Sequence, residues 1–223
     1  MNTSLSTRAP AERRGGAPLL VPAAALTGLT LSGAVLGGSG PRPDWTADQV
    51  LAHADTHPLE IALTSALLLA SAFPLVVYAA VLVTRMRGLG VTSPGPVIGF
   101  AGALLAAASL AASALFGWAG AQVALLGDPG LSKVLATLWF GTGGVGFVAP
   151  LGLLLLGVAV PALRARLLPA PLGWAAVAVG VAAMLSTFAL VSDALYPLLP
   201  IGRFGGLLVR LATALLLPHG RED

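Results

Sequence analysis

The sequence predicts an all-α protein: a polytopic bundle of six transmembrane helices. Three observations predict it. Long apolar stretches recur between Pro18 and Leu217. Only 9% of the 223 residues are charged, against 57% hydrophobic, and mean hydropathy is +0.90. A soluble domain carries about 25% charged residues, so lipid must solvate much of this surface. The charges fall between the apolar stretches, and Arg-rich gaps alternate with acidic ones. At ~20 residues per span, six spans use nearly all of the length.

The expected spans are about 18–38, 59–84, 96–120, 134–160, 171–191 and 199–218, one transmembrane domain over 18–218. Residues 1–17 are polar, carry Arg8, Arg13 and Arg14, and read as a disordered cytoplasmic tail. The first apolar stretch is longer than the ~7–15 residues of a signal-peptide core, and Gly38-Ser39-Gly40-Pro41 is a poor cleavage site. An uncleaved span is therefore expected.

In the following gap, Thr46 and Gln49 have capping-box spacing, and Trp45 and Val50 stand where a hydrophobic staple would place them. A short external helix over Ala47–Thr56 follows, with Leu51 and Ala54 able to lie on the bilayer. Pro58 suits the first turn of the second span. Pro74 and Pro150 lie inside the second and fourth spans, where proline removes a ladder hydrogen bond and favours a kink. Asp128-Pro129-Gly130 is a turn signal before the fourth span. Arg85 and Arg87 end the second span, and Arg164 and Arg166 end the fourth. The sixth span is the shortest apolar run. Phe204–Leu217 needs extension to Leu199, and so takes in Arg203 and Arg210. The alternative is five spans and an interfacial last helix. Residues 219–223 form a C-terminal tail.

Orientation follows from the bias of Lys and Arg toward cytoplasmic loops. With the N-terminus inside, eight basic residues lie on the internal side (Arg8, Arg13, Arg14, Arg85, Arg87, Arg164, Arg166, Arg221). Three lie outside (Arg42, Lys133, Arg203), with six acids: Asp44, Asp48, Asp55, Glu60, Asp128 and Asp193. Both termini are then cytoplasmic and the protein belongs in a plasma membrane. Spans two and four also look alike, each with an interior proline, an Arg-x-Arg end and a following span that opens with Pro then Gly. Either a parallel repeat of the transporter kind or the common grammar of membrane spans produces that.

Gly141-Thr142-Gly143-Gly144-Val145-Gly146 is the most conspicuous local pattern. Inside an apolar span, Gly141, Gly143, Gly144 and Gly146 read as helix-packing residues, as do Gly33 and Gly37 in span one and Gly180, four residues after Ala176, in span five. The other reading is a broken helix whose freed backbone lines a site. His53, His57 and Glu60 would share one face of a continuous helix and are the candidate metal ligands. The plainer reading is side chains wetted at the membrane surface. Arg210 is the one ionisable residue well inside a span, two turns after Arg203. It reads as an anion or headgroup contact, as an ion pair with Glu60 or Asp193, or as a snorkelling side chain. Ser65, Ser71, Ser109, Ser113 and Ser186 read as helix-to-helix hydrogen-bonding groups.

Several classes are excluded or disfavoured. Without cysteine there are no disulfides, thiolate nucleophiles or Cys-held metals. Without a histidine inside a confident span there is no transmembrane bis-histidine haem, and the spans lack the carboxylates that proton-coupled carriers use. No nucleophile or protease motif is present. No catalytic residues and no cofactor are expected. The expected partners are membrane lipids, with another membrane protein or a second copy of the chain as further candidates; nucleic acid is not expected.

The layout resembles the small bacterial membrane proteins grouped as domain of unknown function 4386 and their actinobacterial relatives. Three segments carry the resemblance: Asp44-Trp45-Thr46-Ala47-Asp48-Gln49-Val50, Leu167-Leu168-Pro169-Ala170-Pro171-Leu172-Gly173-Trp174, and Gly202-Arg203-Phe204-Gly205-Gly206. It implies an all-helical integral membrane protein with no assigned catalytic residues, and it leaves Arg210 atypical. The expected function is non-enzymatic: structural, sensory or accessory. A small transporter is the alternative, and an enzyme acting on lipids a third reading.

Overall fold

The computed structural model describes residues 18–38 and 40–218. The expected tails at 1–17 and 219–223, with their arginines and His219, lie outside the described residues. Among the described residues the regular structure is all helical, without strands. Its helices are α1 (Leu20–Leu36), α2 (Ala47–Thr56), α3 (Pro58–Gly88), α4 (Gly95–Ala124), α5 (Pro129–Gly143), α6 (Val145–Arg164) and α7 (Ala170–Leu185). Two 3₁₀ turns (Ser186–Leu190, Asp193–Leu195), an α turn (Leu198–Pro200) and a π turn (Ile201–Gly205) then lead into α8 (Gly206–Leu216).

Five segments are long and apolar enough to cross a membrane: Pro58–Gly88, Gly95–Ala124, Pro129–Arg164, Ala170–Leu190 and Asp193–Leu216. Helix α1 is a shorter apolar helix of 17 residues. At 1.5 Å per residue it is about 25 Å long, the lower limit for a span. The short span is thus the first rather than the last. The Asp193–Leu216 segment reaches spanning length through irregular turns, because Pro197 and Pro200 interrupt its ladder. The protein is an all-α membrane helix bundle.

Small residues set the packing. Gly33 of α1 sits on Leu67 and Leu68 of α3, and Gly37 on Thr64, so α1 and α3 run antiparallel. Gly95 faces Gly157 and Pro161, and Gly102 faces Pro150 and Leu153, which places α4 antiparallel to α6. A Cβ on Gly157 would lie 2.5 Å from the Gly95 carbonyl and 2.6 Å from the Gly99 nitrogen. No side chain fits there, and the two backbones approach closely. Gly180 of α7 packs on Leu155 and Leu156 in the same way. At mid-helix, Leu75, Leu110 and Leu151 are fully buried and belong to one continuous core.

Four expectations need correction. The fourth span starts at Pro129, not 134: Asp128 caps it by accepting from the Leu131 amide at 3.0 Å, with Pro129 in the first turn. The chain is not one helix through the glycine cluster. It breaks at Gly144 (φ −85°, ψ −98°), and α6 starts afresh at Val145. Gly141 is not a packing residue, since nothing lies within 4 Å of where its Cβ would be. Finally, α2 does not turn Ala54 outward to the bilayer but into the bundle. Its capping box forms as expected, with Thr46 N–H donating to Gln49 Oε1 at 2.8 Å and Gln49 N–H to Thr46 Oγ1 at 3.3 Å. Its apolar face, Val50 and Ala54, is however buried, with α2 folded onto α5.

Candidate functional site

The α2 end of the bundle holds two chambers. Lys133, in the second turn of α5, donates to the Pro43 and Trp45 carbonyls at 2.8 and 2.7 Å. The ammonium thereby ties down the loop ahead of α2, and α2 closes over the space between α3, α4 and α5. The two chambers share Gly40, Pro41 and Trp139 as lining residues. A Cβ on Gly40 would come within 2.8 Å of the indole, and one on Gly117 within 2.9 Å. Trp139 is therefore clamped between two glycines, and forms a fixed wall.

The first chamber lies under α2 and has a volume of about 60 Å³. His53, His57 and Glu60 stand on its rim, and Val50, Ile61, Phe116 and Leu135 supply apolar wall. Deeper, it is lined by Thr64, Ser65 and Ser132, which are 6%, 4% and 1% exposed. None of their three hydroxyl oxygens has a hydrogen-bond partner among the described residues. Buried hydroxyls are usually paired, and an unmade bond costs about 1–3 kcal/mol. Three in one chamber mark a place where an occupant supplies the missing bonds. A space of that size accepts a few waters or a small solute.

The expected metal triad is not assembled. His57 ends α2 with φ −128° and ψ 41°, so His53, His57 and Glu60 are not on one continuous helix. The imidazoles stack, with centroids 4.7 Å apart, instead of converging on a point. His57 Nδ1 lies 2.7 Å from Thr56 Oγ1 and 3.2 Å from the His53 carbonyl, and Trp45 meets His53 edge-on at 5.4 Å. Among the described residues no group of three His, Asp or Glu could hold a metal ion. Burial, then the neighbouring His57, pushes the His53 imidazole below its ordinary value, while Glu60 acts in the opposite sense. The chamber does bring serines, histidines and a carboxylate together. Yet no imidazole bonds a buried hydroxyl, so as arranged no base activates a nucleophile.

The second chamber, of about 320 Å³, lies on the other side of Trp139. The helix break at Gly143 and Gly144 borders it, together with Leu68, Phe140, Val148 and Leu199. Arg203 reaches it from the π turn. Its guanidinium donates through Nη2 to the Gly143 carbonyl and lies 5.2 Å from the Phe147 ring centroid. Gly202, packed on Val148 and Ala183, lets that turn sit against α6 and α7.

Arg210 is elsewhere. It is 2% exposed, deep in the bundle, beside Tyr78, Leu154, Val158, Ala176 and Thr213. It neither snorkels nor lies at an interface. It also forms no ion pair with Glu60 or Asp193: Glu60 is on the rim of the first chamber, and Arg210 Nε, Nη1 and Nη2 have no hydrogen-bond partner among the described residues. Its backbone carbonyl accepts from the Tyr78 hydroxyl at 3.2 Å. The cavity there is about 10 Å³, space for one water.

Of the serines expected to bond between helices, Ser113 does so, donating to the Trp139 carbonyl at 2.9 Å. Ser71 bonds within its own helix, to Leu68, and Ser186, at the start of the following 3₁₀ turn, bonds back to Ala183 in the last turn of α7. Sequence reasoning missed Thr64, Ser132 and Trp139 as lining residues. Thr64-Ser65 was the available signal, two adjacent hydroxyls one turn inside a span beside Glu60. No protein-family model, no curated protein and no solved structure matches this chain.

Proposed function

We propose that this chain is a non-enzymatic plasma-membrane protein, sensory or accessory, that holds a small polar ligand under α2 on the external side. The orientation rests on the bias of eight basic residues against three. The ligand rests on one observation: the unpartnered hydroxyls of Thr64, Ser65 and Ser132 in a single chamber. Glu60 is the charged residue on that wall, so the ligand is neutral or cationic. The likeness to domain of unknown function 4386 remains part of this proposal.

The test uses a Ser132→Cys variant, a single thiol in a chain without native cysteine. It is treated with cationic and anionic methanethiosulfonate reagents of similar size. The cationic reagent reacts faster, and Glu60→Gln removes the difference. Equal rates in both backgrounds would refute the charge assignment.

Transport is the second reading, favoured by the break at Gly144 with Arg203 beside it. The continuous core that includes Leu75, Leu110 and Leu151 counts against it, since passage requires that core to part. Uptake of radiolabelled solutes into proteoliposomes distinguishes the two.

A further inference from the structure

We infer that the second chamber is a binding site for an oxyanion, the carboxylate or phosphate of an amphiphile. Its wall carries two guanidinium groups, Arg42 and Arg203, and no carboxylate among the described lining residues. Neither Asp44 nor Asp193 lines the chamber, and the Tyr196 ring packs behind its wall on Phe140 at 5.6 Å.

Arg203 is prepared for this role. The Gly143 carbonyl takes one nitrogen, and the cation lies over the Phe147 ring. Its other nitrogens meet no protein acceptor among the described residues and, unlike those of Arg210, are not sealed from the chamber. A guanidinium so fixed presents a planar fork that matches a carboxylate or phosphate in two hydrogen bonds. The π turn Ile201–Gly205 that carries it is an irregularity of the kind found at functional sites. The helix ends add little to this potential, because α5 ends at Gly143 and α6 begins at Val145 on the same wall, so that their dipoles oppose each other and the two arginines set its sign.

The rest of the wall sets the ligand class. Leu68, Phe140, Val148, Leu199 and Phe204 are apolar. A volume of about 320 Å³ exceeds what a bare phosphate needs and is at the lower end of small-molecule pockets. An anionic head with a short apolar body fills it. Arg42 is exposed at the mouth, where it attracts the anion, while Arg203 holds it. The first chamber, with Glu60 on its rim, has the opposite electrostatic character. Trp139 keeps the two apart.

The protein in lipid nanodiscs tests this, with the tryptophan fluorescence, which includes Trp139, as the readout. One arm titrates inorganic phosphate and octanoate into phosphatidylcholine discs. The other compares phosphatidylglycerol discs with phosphatidylcholine discs without added solute. A saturable change in the first arm identifies a soluble oxyanion, and a change only in the second identifies a lipid headgroup. Arg203→Gln weakens either response at least tenfold, Arg42→Gln severalfold, and Arg164→Gln at the far end of the bundle leaves it unchanged. If Arg203→Gln does not fold, Arg203→Lys serves, since it keeps the charge and loses the fork; it should weaken binding by a smaller factor. No saturable response in either arm overturns the inference. So does a response that Arg42→Gln and the Arg203 variants leave intact.

Discussion

Replacing Arg210 with methionine should make this protein more stable. The side chain is 2% exposed and its three guanidinium nitrogens have no partner. Each unmade buried hydrogen bond costs about 1–3 kcal/mol, and an arginine at the centre of a span costs ~2.5–3.5 kcal/mol on insertion scales. These two figures describe one desolvation and do not add. Methionine keeps the stem but is three heavy atoms smaller, so the cavity of about 10 Å³ grows by roughly 40 Å³, at a cost of about 1 kcal/mol. The net expectation is a gain of roughly 2 kcal/mol, nearly thirtyfold in the folding equilibrium. The assay is equilibrium unfolding in mixed micelles by titration with sodium dodecyl sulfate. The Tyr78 bond is to the Arg210 backbone carbonyl and survives the change. Arg210→Lys keeps the charge and should give no gain. If Arg210→Met is less stable than wild type by 1 kcal/mol or more, the arginine has a partner that repays its burial, and the reasoning fails.

Other outcomes follow from the same geometry. Gly157→Ala should destabilise by about 1–3 kcal/mol, because its Cβ meets the backbone of Gly95 and Gly99; Gly141→Ala meets nothing within 4 Å and should be neutral or gain up to ~1 kcal/mol, both by the same unfolding titration. Lys133→Met removes both bonds to the Pro43 and Trp45 carbonyls and should raise the labelling rate of a Ser132→Cys thiol severalfold. The His53 imidazole is held below its ordinary value of 6.5, so the docked α2 prefers it neutral. That contribution is full above about pH 6.5 and is lost as pH falls through the lowered value. Hydrogen exchange in α2 should accelerate on acidification, and His53→Gln should flatten the response.

Local chemistry was legible in the sequence, and long-range placement was not. Thr46 and Gln49 define the start of α2 because both capping bonds span three residues. Pro58 and the repeated Arg ends of α3 and α6 are equally local. The start of α5 was misplaced because Lys133 looks like a loop charge. It lies inside the helix and is satisfied by carbonyls 88 and 90 residues away. The glycine cluster announced an irregularity, but Gly141 and Gly144 differ in backbone conformation and in what packs against them, neither of which spacing encodes. Arg210 was conspicuous as a charge. Its burial depends on Tyr78, 132 residues distant, and no helical period reports that. The hydroxyl chamber was the least legible feature. Thr64, Ser65 and Ser132 are ordinary polar residues in apolar helices until α2 folds over them.

The most direct test is the reaction of Ser132→Cys with a membrane-impermeant cationic methanethiosulfonate in intact cells. A chamber under α2 that opens to the external side predicts modification from outside, slower than at an exposed Asp48→Cys control and faster when Lys133→Met loosens the loop. Modification only after the membrane is permeabilised would contradict the account. A thiol that stays unreactive on both sides, with or without Lys133, would contradict it equally.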